Sequence, residues 1–168
     1  IVVLLVGSMS MVDIVNAQTG WVWNWYIFRV PFGPIAFITY VIAATAEANR
    51  TPFDIPEAEQ ELVAGYNVEY SGMKFAMFFL AEFINLFTFS AIATTLFLGG
   101  WNGFAFLPSW IWFLIKTLSV VLLLMLFRWT YPRLRVDQLM EFAWKFLIPL
   151  TFANLIVASI FKYLGWYW

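Results

Sequence analysis

Six of the ten acidic residues of this 168-residue chain lie between Ala46 and Gly72, in the stretch AEANRTPFDIPEAEQELVAGYNVEYSG: Glu47, Asp54, Glu57, Glu59, Glu61 and Glu69, with Arg50 among them. Carboxylates gathered in this way take up and release protons. On a short helix, Glu57 and Glu61 are four apart and share a face, while Glu59 points elsewhere. Like charges at that spacing repel and favour retention of a proton wherever water is restricted. A further carboxylate, Glu82, stands nine residues beyond Met73 in an apolar run, roughly 13 Å along at helical rise. A carboxylate at that depth marks a functional interior site by default. The bland alternative is a structural partner for a basic residue on another helix; a proton relay is preferred. The chain has no cysteine and no histidine. That excludes disulfides, cysteine-held zinc or iron–sulfur clusters, histidine-held haem, and Ser-His-Asp or cysteine nucleophiles. Neither a catalytic nucleophile nor a metal site is expected.

These acids must be positioned by elements made almost entirely of hydrocarbon. The chain is 63% hydrophobic, 21% aromatic and only 11% charged, where soluble domains carry about 25% charged residues. Its mean hydropathy is +0.82. The apolar surface needs lipid as solvent, and the fold class is an all-α polytopic membrane protein, a single membrane domain over 1–168. A net charge of −1 without a basic patch gives no case for nucleic acid.

About five transmembrane spans are expected, near 1–17, 34–48, 73–98, 109–127 and 142–164, separated by the acidic loop 49–72 and a basic loop 128–138. Ile1 lies inside an apolar run with neither an initiator Met nor a cleavage site, so the chain reads as a fragment beginning within a membrane helix. Asp13 suits the headgroup level. Trp21, Trp23, Trp25 and Tyr26 suit an interfacial belt, as a short strand or an interfacial helix, and Arg29 is expected to snorkel. Pro34 falls in the first turn of the second helix, whose Ala43, Ala44, Thr45, Ala46 and Ala48 allow close approach of a neighbour. In the loop, Asp54 is placed to cap a helix from Pro56 to Ala64 that stops at Gly65. Glu82 and Asn85 share a face of the third span. Lys116, in the fourth, is either the buried partner of a carboxylate or a snorkelling side chain. Glu141 and Lys145 are four apart in the favourable order, and Pro149 is expected to kink the last span.

With five spans, the loops 49–72 and 128–138 share one side. That side carries Arg50, Lys74, Arg128, Arg133 and Arg135, against Arg29 and Lys162 on the other. The positive-inside rule places it in the cytoplasm or the mitochondrial matrix.

The segment AEANRTPFDIPEAEQELVAGYNVEYSGMKFAMFFLAEF resembles the long loop and following helix of the quinone-site membrane subunit of respiratory complex I. RWTYPRLRVDQLMEFAWKFLIPL resembles the last loop and helix of the same family. The similarity runs over almost all of the chain but covers only about the second half of the family's eight-helix length. The resemblance implies tilted helices at the heel of the membrane arm, with the Arg50–Gly72 loop sealing the inner end of a quinone chamber. It implies ubiquinone or menaquinone as substrate, reduced by an iron–sulfur cluster in a neighbouring subunit, with NADH and FMN also confined to partner subunits. It places Glu47, Asp54, Glu57, Glu59, Glu61, Glu69 and Glu82 in an acidic funnel linking quinone chemistry to proton translocation. Arg50 matches an arginine of the loop motif; Arg133 and Arg135 match basic residues of the last loop. The implied partners are soluble iron–sulfur subunits on the acidic-loop side, small membrane subunits, antiporter-like subunits and lipid. The implied location is the bacterial or mitochondrial inner membrane. The family's first helices, its interfacial helix and their quinone-lining arginines are absent, so the chamber is incomplete in this chain alone.

Three other readings stand beside this one. The acidic loop is shared with membrane subunits of energy-converting hydrogenases, although ELVAGYNVEYSG favours the quinone branch. A self-contained proton or ion transporter would use Glu82 and Lys116, but would show paired, interrupted helices in corresponding halves. A structural adaptor docking a basic partner explains Glu59 and Glu69 but not Glu82.

Overall fold

The computed structural model describes residues 1–48, 50–53, 70–104, 106–132 and 134–165. All regular structure among them is helical: α1 (Val2–Val6), α2 (Met11–Asn16), α3 (Phe32–Glu47), α4 (Met73–Phe97), α5 (Ser109–Thr130), α6 (Val136–Phe142) and α7 (Ile148–Tyr163). Two of these helices, of 25 and 22 residues, are long and apolar enough to cross a bilayer. So is the continuous 28-residue helix that α6 and α7 form through a π turn at Ala143–Leu147. α3 is shorter, at 16 residues. The chain has the build of a polytopic membrane protein.

The apolar run over 1–17 is two short helices rather than one. Gly7 ends α1 in a left-handed conformation (φ +80°), which only glycine adopts at no steric cost. Ser8 and Ser10 follow, and Ser8 donates to the Asp13 carboxylate at 2.6 Å. The Lys162 ammonium, from the end of α7, donates to the Leu4 carbonyl, so a carbonyl of α1's last turn has a charged donor. The aromatic stretch between α2 and α3 is neither strand nor long helix. It makes two single 3-10 turns, Val22–Asn24 and Tyr26–Phe28. The second lies so close to the start of α3 that a Cβ on Gly33 would sit 1.9 Å from the Tyr26 carbonyl oxygen.

At the other end, α5 continues to Thr130 and α6 begins at Val136, which shortens the expected basic loop to 131–135. Pro149 sits inside the continuous helix just after the π turn. Its missing N–H is absorbed there by the local change in register.

Helix packing is tightest between α4 and α5, where Ser90, Ala93 and Thr94 meet Thr117, Val120 and Leu124. Small side chains at this seam let the backbones approach, which drives association where lipid is as apolar as the helices. Polar tethers fix the remaining helices. Asn154 on α7 donates to the Phe32 carbonyl at 3.1 Å, and the Tyr40 hydroxyl on α3 donates to the Phe89 carbonyl at 3.0 Å.

Gln18 is the densest of these tethers and is fully buried. Its amide nitrogen donates to the carbonyls of Ile14 and Thr95, each at 3.1 Å. Its carbonyl oxygen accepts the N–H groups of Tyr26 (3.2 Å) and Gly99 (3.1 Å). All four hydrogen-bonding positions of the amide are used, and three segments of chain meet there. Replacing Gln18 by Leu strands two buried N–H groups at ~1–3 kcal/mol each. The detergent-solubilised protein is therefore expected to lose roughly 2–6 kcal/mol of stability, read as a lower Tm. An unchanged Tm would mean that the freed donors find other acceptors.

Candidate functional site

The site forms where α3 runs out into the acidic loop. α3 ends at Glu47, and the chain turns through Ala48 so that the Arg50 N–H donates to the Thr45 carbonyl at 3.2 Å. The Phe53 N–H then donates back to the Arg50 carbonyl at 2.8 Å. This tight return aims the Arg50 side chain inward, onto α4. Its Nε lies 2.9 Å from Oε1 of Glu82, with the arginine side chain 3% and the glutamate side chain 19% exposed. The guanidinium also lies over the Phe83 ring, 5.0 Å from its centroid, where the ring face attracts a cation. The arginine is buried and the glutamate half-buried, so their attraction is only partly screened by water.

The same turn is clamped from the far side. The Leu134 N–H donates to the Pro52 carbonyl at 3.0 Å, joining the basic loop to the start of the acidic one. Beneath this junction lies a cavity of about 630 Å³, bounded by α3, α5, the 50–53 turn and Phe142. Its described lining is apolar except for the hydroxyl-bearing Thr45 and Tyr131. With neither a carboxylate nor a cation in that lining, the space suits hydrocarbon.

Of the residues singled out from sequence, the structure brings together Arg50 and Glu82. Glu47 is exposed in the last turn of α3, and Arg135 is exposed at the start of α6, where its N–H donates to the Gln138 side chain at 3.3 Å. Asp54, Glu57, Glu59, Glu61, Glu69 and Arg133 lie outside the described residues, as does the expected capped helix from Pro56 to Ala64. Asn85 is exposed while Glu82 is half-buried. Among the described residues Lys116 pairs with no carboxylate: it turns to backbone carbonyls at the end of α4. Glu141 and Lys145 form the expected pair, in an exposed position.

Sequence reasoning missed that Glu82 has its cation in Arg50. The available signal was that Arg50 is the only basic residue within the acidic stretch.

Helices of spanning length, with an ion pair buried against the membrane end of a loop, define a polytopic helical membrane protein with an interior charged site. The chain belongs to the NADH dehydrogenase family, whose model matches residues 1–159. It is similar to the NADH-quinone oxidoreductase subunit designated H of Geobacillus kaustophilus, 54% identical over 96% of this chain and 47% of that protein. The equivalent subunits of Geobacillus thermodenitrificans and Bacillus mycoides are each 52% identical over 96% of the chain, and 48% and 47% of their own lengths are covered. The chain thus spans about half the length of the curated relatives it matches.

Removing one member of a buried pair leaves the other uncompensated. Arg50→Met alone is expected to cost about 3–5 kcal/mol, and Arg50→Met combined with Glu82→Gln to recover most of that loss. A double-mutant cycle on unfolding in detergent measures the coupling, and strict additivity of the two changes would show that the pair contributes nothing.

Proposed function

We propose that this chain is part of the quinone-site membrane subunit of a proton-pumping NADH:quinone oxidoreductase, and that it couples quinone reduction to proton movement. The observation that carries the reading is the buried Arg50–Glu82 pair. It joins the beginning of the acidic loop to a carboxylate inside a spanning helix. The relatives' names speak for quinone chemistry over the hydrogenase alternative.

Reduction of a quinone to a quinol consumes two electrons and two protons. The chain has neither cysteine nor histidine to hold an electron carrier, so electrons come from iron–sulfur clusters of partner subunits, supplied in turn by NADH and FMN. The chain's share is acid–base chemistry. In this reading Glu47, Asp54, Glu57, Glu59, Glu61 and Glu69 collect protons along the loop, and Glu82 receives them at the membrane end. Arg133 and Arg135 set the field on the same side, together with Arg50. While the pair is closed, the Arg50 guanidinium balances the charge of Glu82. A negative charge generated nearby on the reduced quinone competes for the guanidinium and frees Glu82 to take a proton. Ubiquinone and menaquinone both meet these requirements. The membrane is the bacterial plasma membrane or the mitochondrial inner membrane, with the acidic loop on the positive-inside face. The partners are soluble iron–sulfur subunits on that face, and small and antiporter-like membrane subunits alongside.

Glu82→Gln in the intact complex is expected to lower protons translocated per NADH by several-fold, with a smaller loss of NADH:quinone turnover. Simultaneous measurement of both in proteoliposomes tests this. Wild-type values for both would remove Glu82 from the route.

A further inference from the structure

Lys116 is a buried titratable group that the quinone-coupled chemistry leaves unused. It lies on α5 at 7% exposure, facing the end of α4 remote from the acidic loop. Its ammonium donates to the carbonyls of Leu98 (2.7 Å), Gly100 (3.2 Å) and Asn102. The Trp25 ring covers it, with the nitrogen 3.9 Å from the ring centroid. Among the described residues, no carboxylate lies within ion-pair distance of it.

This cage specifies the charged form. An ammonium has three N–H donors and no acceptor, and three carbonyls receive them. A neutral amine would turn a lone pair towards one of those oxygens. The carbonyls belong to the C-terminal end of α4 and the turn after it, where the helix dipole is negative. The aromatic face adds further stabilisation for a cation. A positive charge is thus held inside a span with no counter-ion among the described residues to neutralise it.

The cage closes one end of a polar seam between α4 and α5. Ser90, Thr94 and Thr117 are fully buried there. Thr117 and Thr94 oxygens are 3.5 Å apart, and Thr117 is next to Lys116 in the chain. The seam is not built to conduct. Each hydroxyl has one proton to give, and each gives it to its own helix: Ser90 to Leu86 (2.8 Å), Thr94 to Ser90 (2.9 Å) and Thr117 to Phe113 (2.8 Å). Between Glu82 and Ser90 the seam is filled by buried Leu86, over roughly 12 Å of helical rise.

We propose that Lys116 is a fixed positive plug, closing the end of the α4–α5 seam opposite the acidic loop to protons. Fixed positive charge is an effective barrier to protons and cations inside a membrane protein. The proposal rests on the proton-coupling reading of Glu82. Its consequence is that protons reaching Glu82 leave sideways to a neighbouring subunit and do not cross this chain.

The test uses the intact complex in proteoliposomes, reading the passive decay of an imposed proton gradient, NADH:quinone turnover and protons translocated per NADH. Lys116→Gln keeps two donors but removes the charge. It is expected to speed passive decay several-fold and lower protons per NADH while turnover is maintained, whereas Lys116→Arg stays tight. An assembled Lys116→Gln complex that holds its gradient like wild type overturns the plug. Trp25→Glu, which sets a carboxylate against the ammonium, neutralises the site without removing the lysine and is read in the same way. Thr117→Val decides whether the seam conducts: pumping unchanged supports the barrier, and pumping lost overturns it. Passive decay is read without turnover, so a failure of the Glu82 coupling reading shows separately, as wild-type pumping in Glu82→Gln.

Discussion

Two opposite charges 2.9 Å apart, the arginine buried and the glutamate half-buried, constrain the described residues where α3 gives way to the acidic loop. Desolvating a carboxylate and a guanidinium costs several kcal/mol each, and their attraction repays it only when the geometry is held. The Arg50 backbone is therefore pinned to Thr45 and Phe53, its guanidinium rests on Phe83, and Pro52 is tied to Leu134. α3, the exit into the loop, α4 and the segment before α6 are brought into one arrangement. A pair that is costly to form and costly to break holds this arrangement in place.

The opposite end is held by different means. Gln18, Lys116 and Lys162 each reach backbone carbonyls at broken or ending helices. In a chain of such high apolar content, unsatisfied carbonyls within the bilayer are the main liability, and long polar side chains meet it without further secondary structure. Among the described residues the two ends thus differ in chemistry: Glu82 with its paired arginine at one, lysines held by backbone carbonyls at the other.

Much of this is legible in the sequence. Composition and run lengths specify the all-helical membrane class, and the acidic stretch with Glu82 beyond it locates the charged end. The two motifs around the acidic and basic loops carry the family to which the chain belongs. What is not legible depends on tertiary distance. The first apolar run is hydrophobic throughout, so hydropathy joins what Gly7 and Ser8 divide. The basic loop is shorter than its charges suggest because Arg128 lies in the last turn of a helix whose charge faces outward. The partner of Glu82 is hidden because Arg50 reaches it across 32 positions of chain, and periodicity carries no information over that separation. Sequence leaves Lys116 as a carboxylate partner or a snorkelling chain; its carbonyl cage depends on a turn between helices that no local pattern encodes.

The proposed coupling requires Glu82 to change protonation as quinone is reduced. A redox-induced infrared difference spectrum of the intact complex tests it most directly. Coupling through Glu82 gives a carboxyl band that changes with quinone reduction in wild type and is absent from Glu82→Gln. The same difference spectrum in both, carboxyl region included, would contradict it.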